Sequence, residues 1–248
     1  MMDICKPVNV FPGYGYIYDE KDKQFHNMYR GVDLGKGGYV YAQPGMYMNV
    51  ILLDVGSMHP HSGLELGYYG DCTENYRALV DARMFIKHGD FESASKLFDG
   101  KLAKYLTDKA SADMLATALK LPINQSYGIS TANYDNPLRD PRNVNNIIAL
   151  RGALFMKTLQ DEVTARGYKV IHIKTDSIKI VNGDADIIQF CMGFAEKYGY
   201  TFEHEATYDR ICLVNDAVYI ARYDDKGIRN KGGKHANEWT ATGKQFQV

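Results

Sequence analysis

Residues 171–180 read IHIKTDSIKI, and no other stretch restricts the fold as tightly. Two short β-branched arms flank Lys174-Thr175-Asp176-Ser177, which predicts a buried β-hairpin over 170–181. An Asn-Gly pair would make such a turn at lower cost, so an aspartate at the tip calls for a reason. A second carboxylate far upstream offers one. In MYMNVILLDVGS (46–57) the apolar run Val50–Leu53 reads as a buried strand whose C-terminal end presents Asp54. If the two strands are neighbours, Asp54 and Asp176 converge at one sheet edge. Two carboxylates that close repel unless a cation lies between them. Oxygen ligands favour a hard cation such as magnesium. Two such ions about 3.5–4 Å apart can activate a hydroxyl and stabilise a leaving oxygen in phosphoryl transfer. Spacing alone leaves open that Asp176 is only a turn residue and Asp54 only a loop or helix-cap residue.

The remaining chain supplies a setting for such a pair. With 248 residues, 45% of them apolar, it can bury one large core or two smaller ones. A net charge of −1 gives no overall basic field, so any nucleic-acid partner must be held by local patches. Cys5, Cys72, Cys191 and Cys212 show no CxxC pair and no zinc spacing with histidine, which implies four reduced thiols. The sequence carries no 18-residue apolar run and its start is no signal peptide, so a soluble cytoplasmic protein with no membrane partner is expected.

Residues 1–46 read as irregular loops with short strands. Helical patterns cover 74–98, broken near Gly89, and 109–120, with Ser111 or Asp113 as cap. The clearest helix is 144–166, capped by Asn143 and followed by Gly167. A further helix spans about 185–198 and stops at Gly199, and strands follow near 200–207 and 211–223. The stretch 226–235 holds Lys226, Arg229, Lys231 and Lys234 and no acid. The class is α+β: an antiparallel or mixed sheet with helices on one face, interrupted by a helical insert at 71–142. Glu203 and Glu205 alternate with Phe202 and His204, which places both glutamates on one face, either a surface or a neighbour of the acidic pair.

Three stretches then acquire a common meaning. DVGSMHPHS (54–62), KLPINQSYG (120–128) and HIKTDS (172–177) resemble, in order, motifs A, B and C of family B DNA polymerases. RMFIK (83–87) is similar to the R-x-x-x-K of their first fingers helix, and GGYV (37–40) to the Y-x-G-G region. The chain looks most like a bacteriophage enzyme of this family. The resemblance covers about 36–223 and implies a polymerase palm with a helical fingers insertion. The domains would be 1–70 (N-terminal segment and first part of the palm), 71–142 (fingers), 143–223 (second part of the palm) and 224–248 (basic tail, start of a truncated thumb).

The implied activity is template-directed DNA synthesis, with attack of a primer 3′-hydroxyl on the α-phosphate of a dNTP. The resemblance makes Asp54 and Asp176 the catalytic metal-binding pair, with the carbonyl of Val55 as a third ligand for two Mg²⁺ ions, or Mn²⁺ in their place. It assigns the nucleotide to Ser57, Met58, His59, Arg83, Lys87, Lys120, Asn124, Tyr127 and Thr175. DNA falls to Gly128, Lys174, Tyr219, Lys226, Arg229, Lys231 and Lys234. Helical spacing independently puts Arg83 with Lys87, and Lys120 with Asn124 and Tyr127, on shared faces. Without the resemblance these cations read as solvated helix charges.

The sequence departs from the family pattern at several positions. His59 stands where a tyrosine usually excludes a 2′-hydroxyl. Lys174 replaces the first aspartate of D-T-D-S, Gln125 replaces a serine, and Pro122 interrupts motif B and is expected to kink its helix. The lysine of the primer-gripping K-x-Y is missing before Tyr219. Too little chain precedes Asp54 for an exonuclease domain, so a separate exonuclease or thumb chain is an expected partner beside primer-template DNA and dNTP. The setting implied is the cytoplasm of a phage-infected bacterium. Alternatives kept open are a catalytically incomplete accessory chain that needs a partner, and another palm-fold enzyme such as a reverse transcriptase.

Overall fold

The structure, a computed structural model, describes residues 11–130, 132, 134–136 and 146–246. Its compact units are 11–58 with 149–246, and 59–148. The helical unit therefore takes in the chain from His59 to 70 as well as the insert read from sequence.

The first unit is organised by a seven-stranded sheet. Its strands are β4 (Val40–Ala42), β5 (Gly45–Val55), β6 (Lys169–Lys174), β7 (Ser177–Val181), β8 (Phe202–Leu213), β9 (Tyr219–Tyr223) and β10 (Trp239–Thr242), in the order β10-β9-β8-β5-β7-β6-β4. Every pairing is antiparallel, which decides between the antiparallel and mixed sheets expected. The reason lies in the connections: the β6–β7 turn and the loop after β8 are too short for crossovers. β5 lies at the centre between β7 and β8, so Val50–Leu53 are buried on both faces and need no alternation.

The helices α5 (Ile147–Ala165) and α6 (Ala185–Glu196) follow and precede these strands. Phe155 of α5 is enclosed by the rings of Phe194, Tyr198, Tyr200 and Phe202, which ties helix to helix and helix to sheet. Burial of large apolar side chains contributes about 25 cal/mol per Å² removed from water, so this cluster stabilises the seam between helix and sheet. Gly167 and Gly199 take positive φ just past the two helices, as their spacing predicted. The cap of α6 is Asp184, whose carboxylate accepts from Ile187 N–H; Asn143 lies outside the described residues.

A small antiparallel sheet, β1 (Gly15–Asp19), β2 (Gln24–Tyr29) and β3 (Val32–Asp33), docks on α5. Tyr29 shares a hydrogen bond with Thr158, Arg30 pairs with Asp161, and the Tyr39 hydroxyl donates to Gln160.

The C-terminal part differs from the sequence reading. Residues 211–213 complete one long β8, and β9 is a separate five-residue strand. Within the tail, β10 extends the main sheet against β9, with Trp239 opposite Arg222.

The helical unit holds α1 (Met58–Glu65, entering from the sheet), α2 (Thr73–Lys87), α3 (Phe91–Lys96) and α4 (Lys109–Ser130). Its core joins Ala82 and Ile86 to Ala94, Ala112 and Leu119. Asp108, rather than Ser111 or Asp113, caps α4: its carboxylate accepts from Ser111 N–H at 2.8 Å. The helix continues ten residues beyond its expected end, with Pro122 inside it. Among the described residues no helix is long and apolar enough to cross a membrane, and Cys72, Cys191 and Cys212 are free thiols.

The β1–β2 hairpin carries its own charge clamp. His26 Nδ1 lies 2.6 Å from Asp33 and Nε2 lies 2.8 Å from Asp22, so both ring nitrogens donate and the ring is an imidazolium. Those hydrogen bonds, that to Asp33 first, raise the His26 pKa, and the same bond lowers that of Asp33. The histidine contribution is complete below about pH 6.5 and is lost as pH rises through the raised value; the aspartate contribution is lost on acidification below about 4. The protection factors of the hairpin amides, with the intrinsic pH dependence of exchange divided out, should therefore fall as pH rises above about 6.5, and His26→Gln should remove that fall, as hydrogen exchange followed by NMR can check.

Candidate functional site

Cross-strand partners in a sheet share a face, so the register can be read as rows. At one end of the main sheet the row is Val40, Lys174, Ser177, Asp54 and Glu203. The next row on the same face is Ala42, His172, Lys179, Leu52 and Ala206. Between them, on the opposite face, run Ile173, Ile178 and Leu53, all fully buried. The apolar row locks the register, because a one-residue slip would drive it to the other face.

Asp176 occupies the two-residue turn beside this end. Its carbonyl accepts the Val55 N–H at 2.8 Å, which ties the residue after Asp54 to Asp176 itself. The two aspartates predicted to converge therefore stand at one end of adjacent strands. Glu203 stands opposite Asp54 and its carboxylate accepts from Asn230 at 2.6 Å. The expected alternation of Glu203 with Glu205 fails, because a bulge in β8 inserts Glu205 between the partners of Leu52 and Leu53.

The turn answers why Asn-Gly is absent. Thr175 adopts a left-handed φ of 58°, rare for a β-branched residue. Two contacts hold it there: its N–H donates to the Tyr39 carbonyl at 2.9 Å, and its side chain fills the space above Gly38. A Cβ on Gly38 would lie 2.5–2.8 Å from Thr175 atoms. The glycine in GGYV is thus a cradle for the aspartate turn. Ser57, three residues past Asp54, is also left-handed at φ 57°.

Behind the acidic row lies a buried polar group that sequence reasoning missed. Lys179 is 3% and His172 1% exposed. Lys179 Nζ lies 2.9 Å from His172 Nδ1 and 4.8 Å from the centre of the Tyr219 ring. Burial, then the adjacent lysine charge, pushes His172 down to about 4, so the ring is neutral. Nε2–H donates to the Asp216 carbonyl at 3.1 Å, and Nδ1 accepts from the ammonium. Burial pulls Lys179 down to about 8, while the carboxylates of Glu205 and Asp54 oppose that shift. The lysine remains charged at neutral pH.

In the helical unit, the His59 ring stacks on Tyr127 at 4.6 Å with 11° between planes, and the Tyr127 hydroxyl donates to Asn146 at 3.0 Å. Lys120, Asn124 and Gly128 are exposed along α4 and Tyr127 is half-buried beside them. On α2, Lys87 is exposed and Arg83 half-buried.

Two assignments need correction. Met58 is core: its side chain packs on Gly152 of α5, where no Cβ would fit, so a nucleotide could meet only its backbone. Arg229 bonds Asp224 at 2.8 Å and Thr207 at 3.0 Å, so it staples the tail to the sheet unit, whereas Lys174, Lys226, Lys231 and Lys234 are exposed. Tyr219 is half-buried under the ammonium of Lys179.

The donor set at the sheet end, Asp54, Asp176, Glu203 and the Val55 carbonyl, consists of hard oxygens and fits magnesium or manganese. A different acidic group, Asp19, Asp22 and His26, has its ligand atoms within 4.8 Å of one another. It does not fit a metal, because both nitrogens of His26 already serve carboxylates.

No protein-family model matches the chain, and no curated protein matches it. A solved structure does: the family B DNA polymerase from the hyperthermophilic archaeon Pyrobaculum calidifontis, at TM-score 0.56 and 15% identity, covering 91% of this chain and 31% of that one. The chain thus spans about a third of the length of that polymerase. The likeness is one of fold: an α+β, family B polymerase-like architecture that does not single out a bacteriophage branch.

Gly38→Ala should destabilise the protein by about 1–3 kcal/mol through the clash with Thr175. Adding Thr175→Gly, which removes both the clash and the positive-φ strain, should restore the melting temperature.

Proposed function

We propose that the chain carries the nucleotidyl-transfer centre of a DNA-directed DNA polymerase of bacteriophage type, acting in the cytoplasm of an infected bacterium. The observation that carries this reading is the seating of Asp54 and Asp176 at one sheet end, fixed by the Val55 N–H to Asp176 carbonyl bond of 2.8 Å. The polymerase-like fold supports it.

Asp54, Asp176 and the Val55 carbonyl would hold two magnesium ions, or manganese, which when bound supply Lewis-acid activation of the primer hydroxyl and charge stabilisation at the leaving pyrophosphate. The chain's own part is binding and alignment. Arg83, Lys87 and Lys120 offer three cations for a triphosphate of about four negative charges. Ser57, the backbone at Met58 and the first turn of α1, Asn124 and Thr175 add hydrogen-bond donors to the nucleotide. The His59–Tyr127 stack presents a flat apolar surface for sugar and base, and Gly128 leaves room beside it. Lys174, Lys226, Lys231, Lys234 and Tyr219 take DNA. Phosphate contacts from such cations make binding salt-sensitive and tolerant of sequence. Duplex grip and proofreading would come from chain beyond these residues or from separate partners.

Primer extension with magnesium is the direct test, run on DNA and on RNA templates so that a reverse transcriptase is recognised by its template. Asp54→Ala and Asp176→Ala should each abolish extension with circular dichroism unchanged; extension at the parental rate by either would falsify the site. His59→Ala should raise the ratio of ribonucleotide to deoxyribonucleotide incorporation by roughly tenfold, because a methyl group no longer fills the space at the 2′ position. An unchanged ratio removes His59 from sugar selection.

A further inference from the structure

A lysine buried to 3% exposure has to be explained. Such groups are rarely buried unless paired with an opposite charge, and the nearest partners here are a neutral imidazole and an aromatic face. Two obvious roles do not fit. The ammonium is too enclosed to meet a DNA phosphate or a nucleotide. A purely structural polar pair would be replaceable by apolar residues at little cost, since both neighbouring rows supply isoleucine and leucine.

Its position in the register gives another role. Lys179 pairs with Leu52, two residues before Asp54 on the same strand and the same face, one row behind Asp54 and Glu203. His172 holds the ammonium at 2.9 Å, and the Tyr219 ring covers it at 4.8 Å. We propose that Lys179, held by His172 and Tyr219, is a positioning residue that places a fixed positive charge behind Asp54 and so weakens the resting affinity of the acidic sheet end for divalent cations. This rests on reading Asp54 and Asp176 as the metal-binding pair.

The physical logic is electrostatic. Asp54 stands opposite Glu203, with Asp176 at the adjoining turn and Glu205 in the next bulge, and carboxylates gathered at one sheet end raise one another's affinity for protons and for cations. A buried ammonium is poorly screened and moves little, so it keeps the carboxylates ionised and repels a divalent ion at the same time. Ion occupancy then follows arrival of the triphosphate, whose negative charge outweighs one lysine. A divalent ion several ångströms from a unit charge, at an effective dielectric between protein and water, loses roughly tenfold in affinity.

The test is Mn²⁺ binding to the full chain, without DNA or nucleotide, followed by calorimetry or by the Mn²⁺ EPR signal. Parental protein should bind Mn²⁺ in a manner that Asp54→Asn plus Asp176→Asn abolishes. Binding that survives that pair of changes sinks the acidic-site reading itself. Lys179→Met with His172→Leu leaves no orphaned imidazole and should bind Mn²⁺ about tenfold more tightly, whereas Lys179→Arg should stay near the parental value. Should the double variant not fold, Lys179→Gln, which retains a donor toward His172, carries the same expectation. An unchanged or weaker Mn²⁺ affinity in a folded neutral variant, with parental binding still dependent on Asp54 and Asp176, overturns this inference alone. Loss of fold in both neutral variants marks Lys179 as structural and overturns it as well.

Discussion

Bringing like charges together is the constraint on which the sheet unit is organised. Asp54 and Asp176 belong to strands far apart in sequence, and only the β5–β7 register puts them at one end. That register is held from the opposite face by Ile173, Ile178 and Leu53, and at the tip by the Val55 to Asp176 main-chain bond. Apolar burial supplies the stabilisation and the hydrogen bond supplies the alignment. Neither could come from the carboxylates, which oppose each other.

The same face shows how a sheet carries charge one row deeper. The acidic row ends the sheet, where solvent and ions can reach it. The second row encloses Lys179 and His172, with the histidine kept neutral so that the pair holds one charge rather than two. Beyond them Val50, Tyr208, Ile211 and Leu213 belong to an apolar cluster. Polarity thus falls along the strands from the site toward the far end of the sheet.

Much of this was legible because it rests on local signals. The hairpin arms, the buried run before Asp54, Gly167 and Gly199 after their helices, and the α+β class all follow from short-range pattern. What escaped depends on partners distant in sequence. Lys179 and His172 face each other across a hairpin, and each looks like an ordinary strand residue until the register is known. Arg229 reads as a free cation in a basic tail, yet Asp224 and Thr207 hold it. Met58 reads as part of a nucleotide loop, yet Gly152, far along the chain, makes a socket for it. The β8 bulge separates Glu203 from Glu205 without any proline or glycine to announce it.

Backbone strain draws these threads to the site. Left-handed conformations in non-glycine residues cost of the order of 1–3 kcal/mol each and persist only where surroundings over-determine them. Thr175 adjoins Asp176, and Ser57 follows Asp54 by three residues; both are left-handed. A glycine at either place would remove the strain but also the stiffness. For Thr175 the determinants are visible: the Tyr39 carbonyl and the empty Cβ position of Gly38. A carboxylate that must meet a reacting group within a fraction of an ångström gains from a turn with one permitted shape. The chain therefore holds conformational strain beside its two aspartates, as it also does in turns elsewhere such as those at Lys23, Arg30 and Phe98.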